Sequence, residues 1–374
     1  MAEKMNGLSR DLIIHPGETL KEVIDDRNIT QKELAKRIGF SVQHVSRVIN
    51  GAQDISTQFA KALEYVLGIS ASFWINLQKN YDLELMEYEE RNHISNEELA
   101  CLKELKPITP YLQSKNIIPN TCHKVDMVIA LRRFLGINNL TLIPSLQFCA
   151  AYRASPKTSI NVYVLYAWHK LCDILAEANG DVGKLNKKTL KESIQDIKII
   201  MNTPDEHIPL RLTEIFKKCG ISFCMVNHFK GAPVNGFIRR LSSGQVNLCM
   251  TIRQSRADIF WFTLFHEIAH ILYDDFTHTL VDYAFEKNAE ENTADEFAKN
   301  TLIKNGAYDS FTRMKNFTLP EIQNFAQLQN VPPYIVIGRL QKEGYLPWNA
   351  YQREILKFKW AEDIQETGTK GKRI

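Results

Sequence analysis

Along the first quarter of the chain, apolar residues return every three or four positions and are interrupted at short intervals by glycine and asparagine. In residues 29–51, ITQKELAKRIGFSVQHVSRVING, a stripe of Leu34, Ala35 and Ile38 runs up to Gly39. A second stripe of Val45, Val48 and Ile49 is stopped by Asn50-Gly51. That spacing predicts two short amphipathic helices joined by a glycine turn. Thr30 and Ser41 stand where N-caps are needed, and Glu33, three residues after Thr30, completes a capping-box pattern. The wider region 11–82 reads as a helical bundle punctuated at His15-Pro16-Gly17, Asn28 and Gly68.

A charged, helix-favouring stretch, Leu83 to Lys106, follows as a connector, with a boundary marked by Pro107 and Pro110. Residues 111–200 are again helical in pattern, with amphipathic segments around 124–136, 162–178 and 188–202. The texture changes after Thr203-Pro204. ISFCMVN (221–227), NGFIRRL (235–241) and QVNLCM (245–250) read as strands, the last two joined in a hairpin at Ser242-Ser243-Gly244. The run 259–273 is apolar on nearly all sides of a helix, and further helices are expected around 286–303, 319–329 and 334–343. The closing KGKRI is expected to be a disordered tail. The fold expected is mainly α: an all-α bundle (1–82), a connector (83–110), a helical middle segment (111–204), an α+β domain with a small sheet (205–362) and a basic tail (363–374).

Length and charge narrow the classes. A chain of 374 residues can hold two or three cores, and a net charge of +3 makes any nucleic-acid surface local. The cysteines (Cys101, Cys122, Cys149, Cys172, Cys219, Cys224 and Cys249) are odd in number and never form C-x-x-C, which predicts free thiols in a reducing compartment. MAEKMNGLSRDLI lacks an apolar signal core, and the greasiest run is too short for a bilayer span. The expectation is a soluble, cytoplasmic protein with no membrane partner.

Two short helices across a Gly turn form a helix-turn-helix pattern. Its second helix points Val42, Gln43, His44, Ser46 and Arg47 outward. Gln suits adenine edges and Arg suits guanine in the major groove, while Gln31 and Lys32 at the start of the first helix can reach phosphates. The candidate DNA contacts are Gln31, Lys32, Ser41, Gln43, His44 and Arg47. The plain alternative is an ordinary helical bundle, since residues 1–82 balance ten basic against ten acidic residues. The stretch from His15 to about residue 85, including His-Pro-Gly and Phe73-Trp74, resembles the Xre/Cro-type helix-turn-helix of HigA-family antitoxins. The resemblance implies a homodimeric autorepressor that binds double-stranded operator DNA, and a cognate toxin as a further partner.

The second constellation lies in FTLFHEIAHILYDD, residues 262–275. His266 and His270, four apart on a helix, present both imidazoles to one point, and Glu267 sits beside them. That arrangement suits Zn²⁺ held by the two histidines, with the carboxylate taking a proton from water as it attacks a carbonyl. The plain alternative is a hydrogen-bonded core network. A third ligand is required, and the extended motif fails, because Tyr273 and Phe276 stand where it has Gly and His. Asp274, Asp275, His278, Glu290 and Glu291 are candidates. The last two flank the inward stripe Ala294, Phe297, Ala298, Thr301 and Leu302, and helical angle does not choose between them. Asp295 and Glu296 are expected to point away into solvent.

DIFWFTLFHEIAHILYDD followed by ENTADEFA resembles the ImmA/IrrE metallopeptidase family, as do GAPVNGFIRR (231–240), IVIGRLQKEGYLP (335–347) and Trp360. The resemblance covers about residues 205–360 and implies a zincin-like domain with zinc on His266, His270 and Glu291 and Glu267 as general base. One departure is Asp295, where Asn is common. The group stabilising the oxyanion is left open among Tyr273, His278, Tyr283 and Arg339. The function expected is a DNA-binding regulator carrying a zinc endopeptidase that cuts a repressor or antitoxin, the chain itself included through its connector. The alternative is an autorepressor whose C-terminal domain is a sensor or toxin-binding platform without proteolysis.

Overall fold

The structure is a computed structural model and describes residues 10–146, 160–241, 244–274, 289–360 and 372–373. The chain forms two compact units, Met1–Leu99 and Ala100–Ile374.

The first unit is built from α1 (Pro16–Asp26), α2 (Gln31–Ile38), α3 (Val42–Ile49), α4 (Thr57–Leu67) and α5 (Ala71–Asn92). Polar side chains start the helices where the sequence places them. Thr30 Oγ1 accepts from the Glu33 amide at 3.2 Å, Ser41 Oγ from His44 at 3.0 Å and Ser56 Oγ from Phe59 at 3.2 Å. Each such cap stabilises its helix by about 1 kcal/mol. The Glu33 carboxylate does not close the capping box but pairs with Arg37, one turn on along α2. Gly39 takes the left-handed conformation (φ 74°) that turns α2 into α3, a region disfavoured for residues carrying a Cβ. Leu20, Leu34, Val45, Val48, Phe59, Leu63 and Trp74 are fully buried and form one core.

The connector expected from Leu83 begins instead inside α5, which runs unbroken to Asn92. Its residues LELMEYEERN are mostly strong helix formers, so the helix continues after its buried contacts, Trp74 and Gln78, have ended. Gln78 ties the helix to the loop before α4: its Oε1 accepts from the Ile55 amide at 2.9 Å, and its Nε2 donates to Asp54 and Asp82.

The division between units falls within α6 (Asn96–Leu105). The second unit continues with α7 (Thr109–Ser114), α8 (Lys124–Leu135), α9 (Val162–Ala178), α10 (Lys187–Glu192), α11 (Ile194–Asn202) and α12 (Ile208–Lys218). The single helix expected over 188–202 is thus two, joined at Ser193. Three strands follow: β1 (Ile221–Met225), β2 (Gly236–Arg240) and β3 (Val246–Met250). They form a mixed sheet of order β1-β3-β2, with β1 parallel and β2 antiparallel to β3. The central strand β3 is buried at every residue, which explains its unalternating VNLCM sequence.

The chain then forms α13 (Ala257–Tyr273), α14 (Ala289–Leu302), α15 (Asn305–Arg313), α16 (Leu319–Leu328) and α17 (Pro333–Lys342). Of the C-terminal tail, Lys372–Arg373 pair in parallel with Phe358–Lys359; the rest of the tail lies outside the described residues. Helices α9 and α13 both pack on the sheet, and α13 packs most extensively against α14. The core around α13 includes Phe260, Trp261, Leu264, Phe265 and Ile268. Burying these large side chains is what fixes the helix that carries the two histidines. Among the described residues the cysteines are free thiols, and no helix is long and apolar enough to cross a membrane.

Candidate metal centre and nucleic-acid interface

Helix α13 is apolar around most of its surface, yet it turns one polar edge toward α14. On that edge His266 Nε2 and His270 Nε2 lie 3.0 Å apart. The two carboxylate oxygens of Glu291, from the first turns of α14, stand 3.2 Å from His266 Nε2 and 3.5 Å from His270 Nε2. Ligand atoms of these three residues fall within 4.8 Å of one another. Two imidazole nitrogens and one carboxylate converging in this way fit a tetrahedral zinc site with a position open for water or substrate. Of the other ligands considered, Asp274 does not reach the cluster. It closes α13 in the left-handed conformation (φ 61°) and pairs with Arg240 at 3.1 Å and Lys187 at 3.4 Å. Asp275 and His278 lie outside the described residues, as does the side chain of Glu290.

Asp295 corrects the expectation that it points into solvent. Four residues after Glu291 it shares that residue's side of α14, and its Oδ1 accepts from His266 Nδ1 at 2.9 Å. The cluster is therefore held from behind through Nδ1 of His266, with Nε2 of the same ring turned toward His270 and Glu291. Burial alone would lower the His266 pKa. The bonds to Asp295 and Glu291, with the charge of Glu267, outweigh it and push the pKa up to about 10. Burial likewise works against the Asp295 charge, but His266, Lys299 and Lys342 hold its carboxyl below the usual range. Glu296, by contrast, is exposed and bonds to Lys299 at 2.8 Å.

Glu267 is buried, at 2% exposure, on the sheet side of the cluster. Gly236, at the start of β2, makes room for it: a Cβ there would lie 2.6 Å from Glu267 Oε1 and 2.7 Å from Thr263 Cγ2. Only a residue without a side chain lets the strand pass this close.

The groups named for the oxyanion divide. Arg339 is committed to structure: its guanidinium donates to the Lys299 and Ile303 carbonyls at the end of α14 and lies 3.7 Å above the Tyr308 ring. Tyr273 is half exposed and packs edge-on against Phe297, and Tyr283 lies outside the described residues.

In the first unit, α3 presents Gln43 and Arg47, four residues apart and both exposed, on one face. Lys32 is exposed at the start of α2, and Gln31 beside it is half-buried. Ser41 is exposed, with its oxygen engaged as the cap of α3. His44 departs from the outward position expected of it. Its ring packs at 4.9 Å from Phe40 and 5.1 Å from Phe59, and its Nδ1 bonds Gln53 at 3.1 Å. Two aromatic rings beside the helix give the imidazole more to bury against than solvent offers, which counting along the helix could not reveal. At the entry to α1, His15 Nδ1 accepts from the Gly17 amide at 2.9 Å, so the His-Pro-Gly segment is a helix cap.

Residues 20–74 match the helix-turn-helix family. The chain is 29% identical over 68 residues to the uncharacterized HTH-type transcriptional regulator YddM of Escherichia coli, covering 18% of this chain and 72% of that one. Among solved structures, it is 32% identical to an addiction module antidote protein of the HigA family from Coxiella burnetii, covering 22% of this chain and 89% of that one, with a TM-score of 0.21. It is also 32% identical to the Pseudomonas aeruginosa antitoxin HigA, solved with the higBA promoter, covering 22% of this chain and 92% of that one, with a TM-score of 0.21. Residues 20–74 thus belong to a helix-turn-helix domain, and the N-terminal unit is similar in sequence to HigA antitoxins and to helix-turn-helix transcription regulators.

Proposed function

We propose that this protein is an operator-binding regulator whose second unit is a zinc endopeptidase acting on a repressor or antitoxin. The observation that carries the enzymatic part is the convergence of His266, His270 and Glu291 within 4.8 Å, with Glu267 buried beside them. A purely structural metal site has no need of that additional carboxylate. Zinc held by those three residues would supply the electrophile that polarises a peptide carbonyl and acidifies water. Glu267 receives the proton of the attacking water and returns it to the departing amide nitrogen. Its burial against Gly236 keeps bulk water from competing for that proton, and Asp295 keeps His266 in the tautomer that leaves Nε2 available.

In the first unit, the exposed Gln43–Arg47 face of α3 reads base edges while Lys32 and Gln31 meet phosphates. A homodimer presenting two such helices would read a palindromic operator. A cognate toxin is a further partner of this reading, by analogy with the addiction-module relative. The chain itself is also a candidate substrate. Between residues 71 and 105 the only residues outside helices are His93-Ile94-Ser95, and a peptidase cuts extended backbone. The test is incubation of purified protein with Zn²⁺, with and without candidate repressors, followed by mass spectrometry. Fragments that appear with wild type and not with Glu267→Gln support the reading. Absence of any Glu267-dependent cut, in a sample shown to hold zinc, rejects it.

A further inference from the structure

Beside the His266–His270–Glu291 cluster, α13, α14 and α17 enclose a cleft of about 650 Å³. That volume falls within the usual range of ligand pockets, roughly 300–1,000 Å³. Asp295 belongs to both places, since the carboxylate that holds His266 also lines the cleft. So do Phe262 and Thr263, one turn before His266 on α13, and the Phe262 ring centre is 6.3 Å from that of His266. Ile259, Leu302 and Ile335 add an apolar lining, and Trp348, half exposed, stands at the edge.

Three acidic and three basic residues line the cleft, and all but one of them have a partner. Asp258 is held by Arg256 through two bonds, of 3.0 and 2.8 Å. Glu343 is taken by Arg339 at 3.0 Å, and Asp295 by His266. Lys299 pairs outward with Glu296 at 2.8 Å. Lys342 makes no ion pair or hydrogen bond with any described residue, and its charge acts on Asp295. A cleft with an apolar stretch and one cation that has no partner among the described residues, adjoining the histidine–glutamate cluster through Asp295, is complementary to a large apolar side chain with a carboxylate next to it.

We propose that this cleft is a peptide subsite that takes a large apolar residue with an acidic residue beside it, the acidic side chain pairing with Lys342. The proposal rests on the peptidase reading only in making the occupant a peptide. Selection runs through two contacts, apolar burial among Phe262, Ile259 and Ile335, and the charge of Lys342 at the mouth.

The test uses the full chain carrying Glu267→Gln, so that peptides bind without being cut. Three pentapeptides blocked at both ends, acetyl-Gly-Phe-Asp-Gly-Gly-amide and its Phe-Lys and Ala-Asp counterparts, are titrated by calorimetry. Blocking the termini makes the aspartate side chain the only carboxylate. The expected result is saturable binding of the Phe-Asp peptide, at least about tenfold tighter than either counterpart, the scale of one apolar or ionic contact. Lys342→Met should remove the Asp-over-Lys preference and Lys342→Glu should reverse it, with zinc content and circular dichroism unchanged. Equal binding of the three peptides, no saturable binding, or a preference that survives both Lys342 variants would overturn the proposal. Wild-type protein is offered the same peptides in parallel. A Phe-Asp peptide that binds selectively but is never cut would count against the peptidase reading and leave the subsite standing.

Discussion

Asp295 Oδ1 lies 2.9 Å from His266 Nδ1, while the other nitrogen of the same ring faces His270 and Glu291. A carboxylate behind a ligating imidazole fixes its tautomer and raises its basicity, and its loss typically costs 10–100-fold in metal affinity. Asp295→Ala should therefore weaken zinc binding by about that factor. Asp295→Asn keeps an acceptor for Nδ1–H and should lose less. Competition against a chromogenic chelator reads both. Wild-type affinity in Asp295→Ala would show that the bond does nothing for the metal.

Glu267 separates binding from chemistry. Glu267→Gln should retain a full equivalent of zinc while cleavage falls by about 10²–10⁴-fold, the usual share of a general base. Gly236→Ala offers a second approach, because the atoms nearest its methyl belong to Glu267 and Thr263, on which it would intrude. Its expected signature is a lowered kcat at normal zinc stoichiometry, measured by metal analysis alongside turnover. Zinc lost from Glu267→Gln would mean that the carboxylate serves as a ligand instead.

How far the sequence reaches can be judged residue by residue. The helices of the first unit were legible because Thr30, Ser41 and Gly39 mark their ends by local hydrogen bonding and backbone conformation, which depend on near neighbours alone. The hairpin of β2 and β3 was legible for similar reasons, whereas the parallel pairing of β1 depends on contacts distant in sequence. His266 and His270 announced themselves by spacing. Asp295 did not: it sits at the margin of the α14 apolar stripe, where the approach of α13 decides what faces solvent. His44 shows the converse, since the rings that turn it inward come from Phe40 and Phe59, which spacing along α3 does not reveal.

His169 predicts an acid limit to stability. It is buried on α9 with its ring centre 4.3 Å from that of Phe237. Burial, reinforced by the charge of Arg239, holds its pKa well below the ordinary 6.5. A depressed histidine favours folding fully above the unfolded pKa. As pH falls below 6.5, the unfolded chain takes up a proton that the folded chain refuses. The resulting loss approaches about 1.4 kcal/mol per pH unit until the folded pKa is reached. Urea unfolding of wild type and His169→Leu over about three pH units, from roughly pH 7.5 to 4.5, isolates this residue from other titrating groups. The variant should lose the extra slope, and identical slopes would mean that His169 titrates freely in the fold.

The two faces of α3 should respond differently to substitution. Gln43 and Arg47 are exposed and contribute no core contact, so Gln43→Ala and Arg47→Ala should leave the melting temperature nearly unchanged. If they read bases, each should cost about 1–3 kcal/mol of discrimination between operator and a scrambled duplex. Lys32→Ala removes a phosphate contact instead, weakening both duplexes alike and reducing the salt dependence by about one counterion. His44→Ala behaves in the opposite manner, because its ring supports Phe40, Phe59 and Gln53. It should lower stability first, with DNA affinity falling only as the recognition helix loosens. Fluorescence anisotropy at several salt concentrations, paired with thermal melts, distinguishes these outcomes. Specific binding untouched by Arg47→Ala and Gln43→Ala together would remove α3 as the base-reading element.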